Sequence, residues 1–281
     1  MPMLPPQPTS RADKWSIALA FSRLTGLYNT TEISSGTIAS DNPIHQRLLF
    51  PYQQVASCIA GSVLELGCGW GRGLALLLPK ASHYTGIDKN QQLISILRAN
   101  HHQANFVAAS IPSLQFLEDN TFDQVISFQV IEHIQDDDSF VKEAYRVLKP
   151  GGQLFLTTIN KNFSLTRNPW HVREYCADSL AMLLGKHFST IKRQGIQGNS
   201  RVQTYNWHHA EAVRKITRFD VLNLQYRLPP WLLRLPYELL NRYNRNRLVA
   251  STQAALEISC ADFSVSEDPD KSSDLFYVAT K

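Results

Sequence analysis

Short apolar runs alternate with helical patterns through most of this chain. Apolar residues recur every three or four positions at 12–27 and at 44–59, which predicts two helices near the N-terminus. From residue 62 onward, strands are predicted at 62–66, 83–88, 106–109, 123–128, 153–159, 188–193 and 274–280, with helices at 73–78, 91–101, 139–148 and 175–184. Strands and helices that alternate at this spacing form βαβ units, so we expect a mostly parallel sheet with helices on both faces.

The order of these elements suggests how the chain is organised. We expect an N-terminal tail with helices at 1–60, a Rossmann-like core at 61–200, a helical insertion at 201–265 and a last core strand at 266–281. The insertion is predicted because the stretch before the last strand is much longer than an ordinary connection. A length of 281 residues fits one domain with an insertion better than two separate domains.

The composition excludes several classes of protein. Hydrophobic residues make up 43% of the chain and charged residues 19%, which allows a buried core and rules out general disorder. The longest apolar runs are far shorter than the ~20 residues of a membrane-spanning helix. The N-terminus is rich in proline and lacks the pattern of a signal peptide, so we expect a cytoplasmic protein. Its 4 cysteines form no CxxC pair, which predicts reduced thiols and no metal site.

Positive charge is concentrated in the predicted insertion. The net charge is only +4, too small to indicate a nucleic-acid binder, but residues 201–249 contain nine basic and three acidic residues. Aromatic residues lie among these charges. This mixture suits a peripheral membrane contact, an anionic acceptor or self-association, and it equally fits a helical cap with a solvated basic face.

A glycine-rich loop follows the first predicted strand. Gly67, Gly69 and Gly71 occupy every second position between that strand and a helix, where an open α/β sheet binds its ligands. Alternating glycines allow a sharp turn and close approach of a ligand to the backbone. The loop matches neither the G-x-G-x-x-G dinucleotide pattern nor the phosphate-binding P-loop, which predicts a ligand without a pyrophosphate.

An acidic residue ends the second predicted strand. Asp88 stands at the position where such folds place a carboxylate that binds both ribose hydroxyls. Its other interpretation is a cap for the helix that begins at Gln91. Together with the glycine loop, Asp88 points to an adenosyl compound.

Four segments of the chain resemble one enzyme family. The motifs VLELGCGWGRG, GID, FDQVISFQVIEHI and EAYRVLKPGGQLFLTT are similar to those of class I S-adenosylmethionine-dependent methyltransferases, in particular the small-molecule group that includes ubiquinone-biosynthesis enzymes. The resemblance covers about residues 45–160. It implies a Rossmann-like seven-stranded sheet in which the strands at 188–193 and 274–280 are antiparallel neighbours.

The resemblance also implies a set of residues that bind S-adenosylmethionine. Glu65 would support the loop, Asp88 would hold the ribose, and Ser110 stands where relatives usually have an acidic residue for the adenine amino group. Arg47 resembles an arginine that binds the cofactor carboxylate, although an exposed helix arginine explains it equally well. The full set is Arg47, Glu65, Gly67, Cys68, Gly69, Gly71, Asp88, Lys89, Ser110, Ile111, Gln129 and Val130.

A reactive methyl on a sulfonium needs few catalytic residues, because correct orientation supplies most of the rate enhancement. His133 and His171 are the candidate general bases, and the alternative for each is a hydrogen bond to a loop backbone. Glu174 and Tyr175 are expected to line the pocket at most.

The sequence lacks the motifs of methyltransferases that modify amino groups of nucleic-acid bases, and also those of methyltransferases that modify base carbons. We therefore expect transfer to an oxygen or nitrogen of a small-molecule, glycan- or lipid-type acceptor, free or linked to a carrier. The competing interpretation is a catalytically silent cofactor-binding protein with a regulatory or interaction role.

Overall fold

The computed structural model describes residues 38–220, 222–251 and 254–281. The proline-rich start and the helix predicted at 12–27 lie outside the described residues. The helix predicted at 44–59 is confirmed as α1 (Asn42–Val55), which has Pro43 in its first turn. Proline suits this position, because its fixed φ matches a helix and the first turn has no partner for a backbone N–H.

An eight-stranded sheet forms the centre of the described chain. Its strands are β1 (Ser62–Leu66), β2 (His83–Asp88), β3 (Asn105–Ala108), β4 (Phe122–Phe128), β5 (Leu148–Ile159), β6 (Thr190–Gly198), β7 (Phe263–Ser266) and β8 (Asp274–Thr280). The order across the sheet is β3-β2-β1-β4-β5-β8-β6-β7. Strands β1 to β5 are parallel to one another, and β8 runs antiparallel to both β5 and β6. The predicted mostly parallel sheet and the predicted antiparallel neighbours are therefore confirmed.

The expected number of strands was one too low. The additional strand, β7, pairs with β6, from Gly195 opposite Ser266 to Gly198 opposite Phe263. Residues 263–266 follow a long helical segment and precede a turn, without the alternation of strands and helices that predicted the other strands. They belong to the sheet, although the sequence analysis included residues 263–265 in the helical insertion.

Helices cover both faces of the sheet. On one face, α1, α2 (Leu74–Leu77) and α3 (Gln91–Asn100) contribute to a core around Tyr52 and Leu97. On the other, α4 (Asp137–Val147) and α5 (Ala177–Leu184) bury Phe140 and Leu180. Helix α4 ends at Val147, and β5 begins at the next residue, so the Lys-Pro-Gly-Gly segment at 149–152 lies within the strand.

Residues 200–257 form a helical cap beside α1. The cap contains α6 (Ser200–Thr217), α7 (Leu224–Arg227), α8 (Pro230–Ser251) and α9 (Ala254–Glu257). Asp41, which is fully buried at the start of α1, accepts hydrogen bonds from Arg242 (2.9 Å) and Arg245 (3.1 Å) of α8. This ion pair fixes the cap to the core. No helix among the described residues is both long and apolar enough to cross a membrane.

Candidate functional site

The reversal of strand order in the sheet places a cleft at the carboxyl ends of β1 and β4. From β1 the chain proceeds outward to β2 and β3 and then returns to β4 on the other side, which is the topological switch point where such sheets bind ligands. A cavity of about 140 Å³ lies there. It is lined by Leu48, Tyr52, Gly67, Cys68, Gly69, Trp70, Arg72, Leu93, Phe128 and Gln129. We call it the loop cleft.

The glycine loop forms the floor of this cleft and requires its glycines for two different reasons. Gly67 has a φ of 81°, and a Cβ there would lie 2.4 Å from Cγ2 of Val130. Gly69 has a φ of 53°, yet a Cβ on it would meet no protein atom within 4 Å. Gly67 therefore allows the loop to pack against Val130 in the turn after β4, whereas Gly69 leaves open space above the backbone for a ligand.

Asp88 holds this loop in position. Its Oδ2 accepts a hydrogen bond from the Gly69 N–H (3.0 Å), and its Oδ1 accepts one from the Asn90 N–H (2.8 Å). The cap of α3 is Asn90, whose side chain accepts from the N–H groups of Gln92 and Leu93. The alternative interpretation of Asp88 as the helix cap is therefore wrong. Each carboxylate oxygen keeps a lone pair for a further donor.

Glu65 lies beneath the loop and is held by two tyrosines. Its carboxylate accepts hydrogen bonds from the hydroxyls of Tyr52 (2.6 Å) and Tyr84. Burial raises the pKa of Glu65. The ring of Tyr52 lies over Gly73, where a Cβ would come within 2.1 Å of it. The sequence analysis assigned a supporting role to Glu65 and missed both tyrosines, which come from α1 and β2.

The outer wall of the loop cleft combines an aromatic ring and a cation that the sequence analysis also missed. Trp70 stacks on His45 with ring centroids 6.1 Å apart, and the Arg72 guanidinium lies 5.1 Å from the centre of the Trp70 ring. Arg72 donates to Nδ1 of His45 (2.6 Å). Burial and then Arg72 lower the pKa of His45 to about 4. A neutral His45 is consistent with its acceptor role.

The structure distributes the remaining predicted residues around this edge of the sheet. Lys89 and Ser110 are exposed after β2 and β3, and Ile111 is half-buried. Cys68 is buried, and burial raises the pKa of its thiol, so the residue is not poised as a nucleophile. Among the predicted binding residues, Gly67, Cys68, Gly69 and Gln129 line the loop cleft itself.

Arg47 lies in the wall of a second cavity rather than the loop cleft. Its Nε is 3.4 Å from Oδ2 of Asp274, a buried residue at the start of β8. Gln129, which has a φ of 56°, donates from Nε2 to Oδ1 of the same carboxylate (3.1 Å). Burial raises the pKa of Asp274. Asp274 thus links Gln129 of the loop cleft to Arg47 of the neighbouring cavity.

This second cavity, which we call the polar cavity, has a volume of about 380 Å³. His171 and Glu174 line it, and Nδ1 of His171 is 2.7 Å from Oε1 of Glu174. If Nδ1 donates to the carboxylate, Nε2 is the acceptor nitrogen, and Asn168 donates to it (2.8 Å). The pair has the geometry of a histidine oriented by a carboxylate. Glu174 lines the cavity, as the sequence analysis expected, but its contact with His171 was not predicted, because a periodic pattern does not show which side chains meet.

The other candidate base has a different environment. Nδ1 of His133 is 3.0 Å from the carbonyl oxygen of Trp170, and its ring packs edge-on against that of His171 at 4.9 Å. Potential ligand atoms of Glu132, His133 and His171 lie within 4.8 Å of one another. Glu132 already accepts from the Thr158 hydroxyl (2.9 Å), and His171 is engaged at both nitrogens, so we assign no metal to this group.

Tyr175 has a structural role. It is buried, and its hydroxyl donates to Asp137 of α4 (2.8 Å). Arg173 forms an ion pair with the same carboxylate. These contacts fix the segment that carries His171 and Glu174 against the helix layer.

The cap contributes a titratable residue to the polar cavity. His209 of α6 lines its wall, and burial, followed by Arg245 and Arg47, lowers the pKa of His209 to about 4. An apolar cavity of about 190 Å³ continues between α6 and α8. The two cavities share the wall residues Thr166, Val213, Tyr237 and Asn241. The site therefore extends from a cavity at the sheet edge, lined by Arg47, His171, Glu174 and His209 among apolar residues, to a smaller apolar cavity within the cap.

Sequence comparisons match the part of the chain that carries the glycine loop. Residues 64–156 match a family model described as a methyltransferase domain. A probable S-adenosylmethionine-dependent methyltransferase of Mycolicibacterium smegmatis is 37% identical over 153 residues, which are 52% of this chain and 59% of the relative. A ubiquinone biosynthesis O-methyltransferase of Idiomarina loihiensis is 29% identical over 125 residues, 43% of this chain and 51% of the relative. The chain thus spans about three fifths or less of these relatives.

Solved structures share the fold. An S-adenosylmethionine-dependent methyltransferase of Thermotoga maritima has a TM-score of 0.54 at 17% identity, and the aligned region covers 85% of this chain and 91% of that protein's chain. The cyclase SpnF has a TM-score of 0.51 at 19% identity, and the aligned region covers 83% of this chain and 80% of the SpnF chain. Proteins named for two different reactions share this architecture, so the fold alone does not define the reaction.

Proposed function

Since residues 64–156 form a class I S-adenosylmethionine-dependent methyltransferase domain, we propose that the protein binds S-adenosylmethionine in the loop cleft and methylates an acceptor in the polar cavity. The observation that carries the proposal is the loop at the switch point, where the Gly69 N–H is tied to Asp88 and the Gly69 Cα faces open space. Asp88 would hold the ribose, and the glycines would lie under the methionine part. The predicted roles of Arg47, Lys89, Ser110 and Ile111 stay part of this proposal.

S-adenosylmethionine would supply an electrophilic methyl on a sulfonium leaving group. The protein has to bring an acceptor oxygen or nitrogen into line with that methyl and to receive a proton when the acceptor carries one. His171 is the better candidate for this proton, because it lines the polar cavity and its ring is oriented by Glu174. For Nε2 to take the proton, its hydrogen bond from the Asn168 amide (2.8 Å) would have to open, and the Glu174 carboxylate would then stabilise the imidazolium.

The shape of the two cavities supports an amphipathic acceptor. A polar group would lie in the polar cavity, near His171, His209 and Arg47, and an apolar chain would extend between α6 and α8 past Val213. The total volume of the two cavities is within the range of small-molecule sites. This favours a lipid-type or lipid-linked acceptor over a purely polar metabolite.

Two experiments test the proposal. Calorimetric titration should detect binding of S-adenosylmethionine and S-adenosylhomocysteine, and NAD should not compete, because the loop lacks a pyrophosphate cradle. Incubation with methyl-tritiated S-adenosylmethionine and either a lipid extract or an aqueous metabolite extract should transfer label mainly in the lipid sample. Tight cofactor binding without transfer in either sample would favour the catalytically silent alternative.

A further inference from the structure

Helix α8 of the cap presents its apolar side to the outside. Leu232, Leu235, Leu239 and Tyr243 recur at spacings of three and four residues, which places them on one face of the helix, and their exposed fractions are 43%, 68%, 63% and 62%. Arg247 lies one turn further along this face and is also exposed. We call these five residues the cap face. A surface helix of a globular protein normally turns such a stripe toward the core.

Polar contacts on the opposite side of the helix and at one flank of the stripe maintain this orientation. Asn244 and Arg245 are buried at 3% and 8% exposure, and Arg245 and Arg242 bind the buried carboxylate of Asp41. Rotation of α8 to bury its leucines would leave that carboxylate without its cations, which is costly in a buried position. The outward apolar stripe is therefore stabilised by the ion pair at the start of α1.

The segment that leads into α8 adds exposed aromatic and basic side chains. Phe219, Tyr226 and Trp231 are each more than 60% exposed, and Arg218 and Arg227 are exposed among them. The aromatic residues have the amphipathic character that suits the interface between lipid headgroups and acyl chains. Arginines beside them suit anionic headgroups.

The acidic residues of this part of the cap are already engaged. Asp220 accepts from the backbone N–H groups of Leu224 and Gln225, and Glu238 accepts from the Trp170 indole (3.0 Å). Both carboxylates keep their charge but are half-buried, whereas Arg218, Arg227, Arg234 and Arg247 are exposed, so the net charge around the apolar stripe is positive. Such a surface complements a negatively charged one and repels a second copy of itself.

We propose that the cap face docks on an anionic lipid bilayer, with α8 lying in the plane of the interface. This proposal goes beyond methyl transfer and does not depend on it. Docking would also explain a feature of the cavities: Leu240 lines the apolar cavity and is 44% exposed, so this cavity reaches the surface at the edge of the cap face. An amphipathic molecule in the bilayer would then have a short path to the site.

Vesicle cosedimentation of the full chain tests the proposal. We expect binding to vesicles of phosphatidylcholine with about one third phosphatidylglycerol, weaker binding to phosphatidylcholine alone, and a decline between ~0.05 and ~0.5 M salt. Replacement of two stripe residues in the variant Leu235→Asn/Leu239→Asn should weaken binding at least about tenfold. The matched control is Met182→Asn, because Met182 is also highly exposed (69%) but lies on α5, on the opposite face of the sheet. This control variant should bind vesicles like wild type.

Four results would overturn the proposal. Absence of vesicle binding at low salt would exclude a membrane contact, and equal loss in the double variant and in the Met182 control would show that binding is not specific to the cap. If wild type does not bind vesicles and the double variant has a smaller mass than wild type in light scattering, the cap face is a contact between copies of the chain. A lower melting temperature for the double variant than for the control would mean that the chain itself covers these leucines. Each readout is independent of cofactor binding and turnover.

Discussion

Replacement of Asp88 by alanine should weaken cofactor binding more than it weakens the fold. The change removes the acceptor for the Gly69 N–H (3.0 Å) and for the Asn90 N–H (2.8 Å), and with them the proposed ribose contact. A hydrogen bond to a charged group contributes roughly 1.5 to 3 kcal/mol. Loss of the ribose contact should therefore raise the Kd for S-adenosylmethionine about ten- to hundredfold. Both N–H groups lie near solvent, so water compensates part of the cost in stability.

Calorimetry with S-adenosylmethionine and S-adenosylhomocysteine measures the loss of affinity, and urea unfolding measures the free energy of unfolding. Asp136→Ala is a suitable control, because Asp136 also accepts from a backbone N–H, that of Ser139 (3.0 Å), at the start of α4. This control should lose about 1 kcal/mol of stability and no affinity. A folded Asp88→Ala variant with affinity within about twofold of wild type would refute the assignment of the ribose site.

The glycine loop, the polar cavity and the cap each give one further prediction. Gly69→Val should abolish cofactor binding in calorimetry, because its side chain enters the open space, and should lower the melting temperature through its strained φ of 53°. Gly67→Val should lower the melting temperature further, because it combines a φ of 81° with a Cβ 2.4 Å from Cγ2 of Val130. Glu174→Gln should reduce kcat roughly tenfold or more with unchanged cofactor affinity, and His171→Ala should reduce it further; equal kcat in all three proteins would exclude the proposed base. The pKa of His209 is about 4 in the folded protein, against an ordinary value of 6.5. Between pH 6.5 and 4, the His209 side chain therefore binds a proton in the unfolded chain but not in the folded one. The free energy of unfolding should therefore fall as pH drops from 6.5 toward 4, and urea titrations of His209→Gln should show a shallower fall, by on the order of 2 kcal/mol.

Local sequence was sufficient to predict most of the sheet and the glycine loop. The strands at Ser62–Leu66, His83–Asp88 and Asp274–Thr280 have the predicted bounds, because each is a short apolar run between clear turn residues. The loop was equally predictable, since glycine at alternate positions directly after a strand is typical of a tight turn that a ligand approaches closely. By contrast, β7 depends on its pairing with β6, some 65 residues away, and no local pattern reports such a pairing.

The site required the tertiary structure, because its contacts join distant parts of the chain. The tyrosine hydroxyls on Glu65 come from two different elements, and the Asp274 carboxylate meets Gln129 and Arg47 across the sheet edge. Similarly, His171 was a candidate by residue type alone. Its packing beside Glu174 in a cavity distinguished it from His133, whose Nδ1 lies against a backbone carbonyl.

The orientation of the cap could not be predicted from the sequence. The periodic pattern of α8 identifies an apolar stripe but does not say which side of the helix faces inward. In the structure, Asp41 binds Arg245 on the far side of the helix and Arg242 beside the stripe, and the stripe leucines face outward. A buried charge is costly without its partner, so a single carboxylate at the start of α1 outweighs the usual preference for buried leucines. The sequence determined that the helix is amphipathic, and the contact with Asp41 determined which face remains exposed.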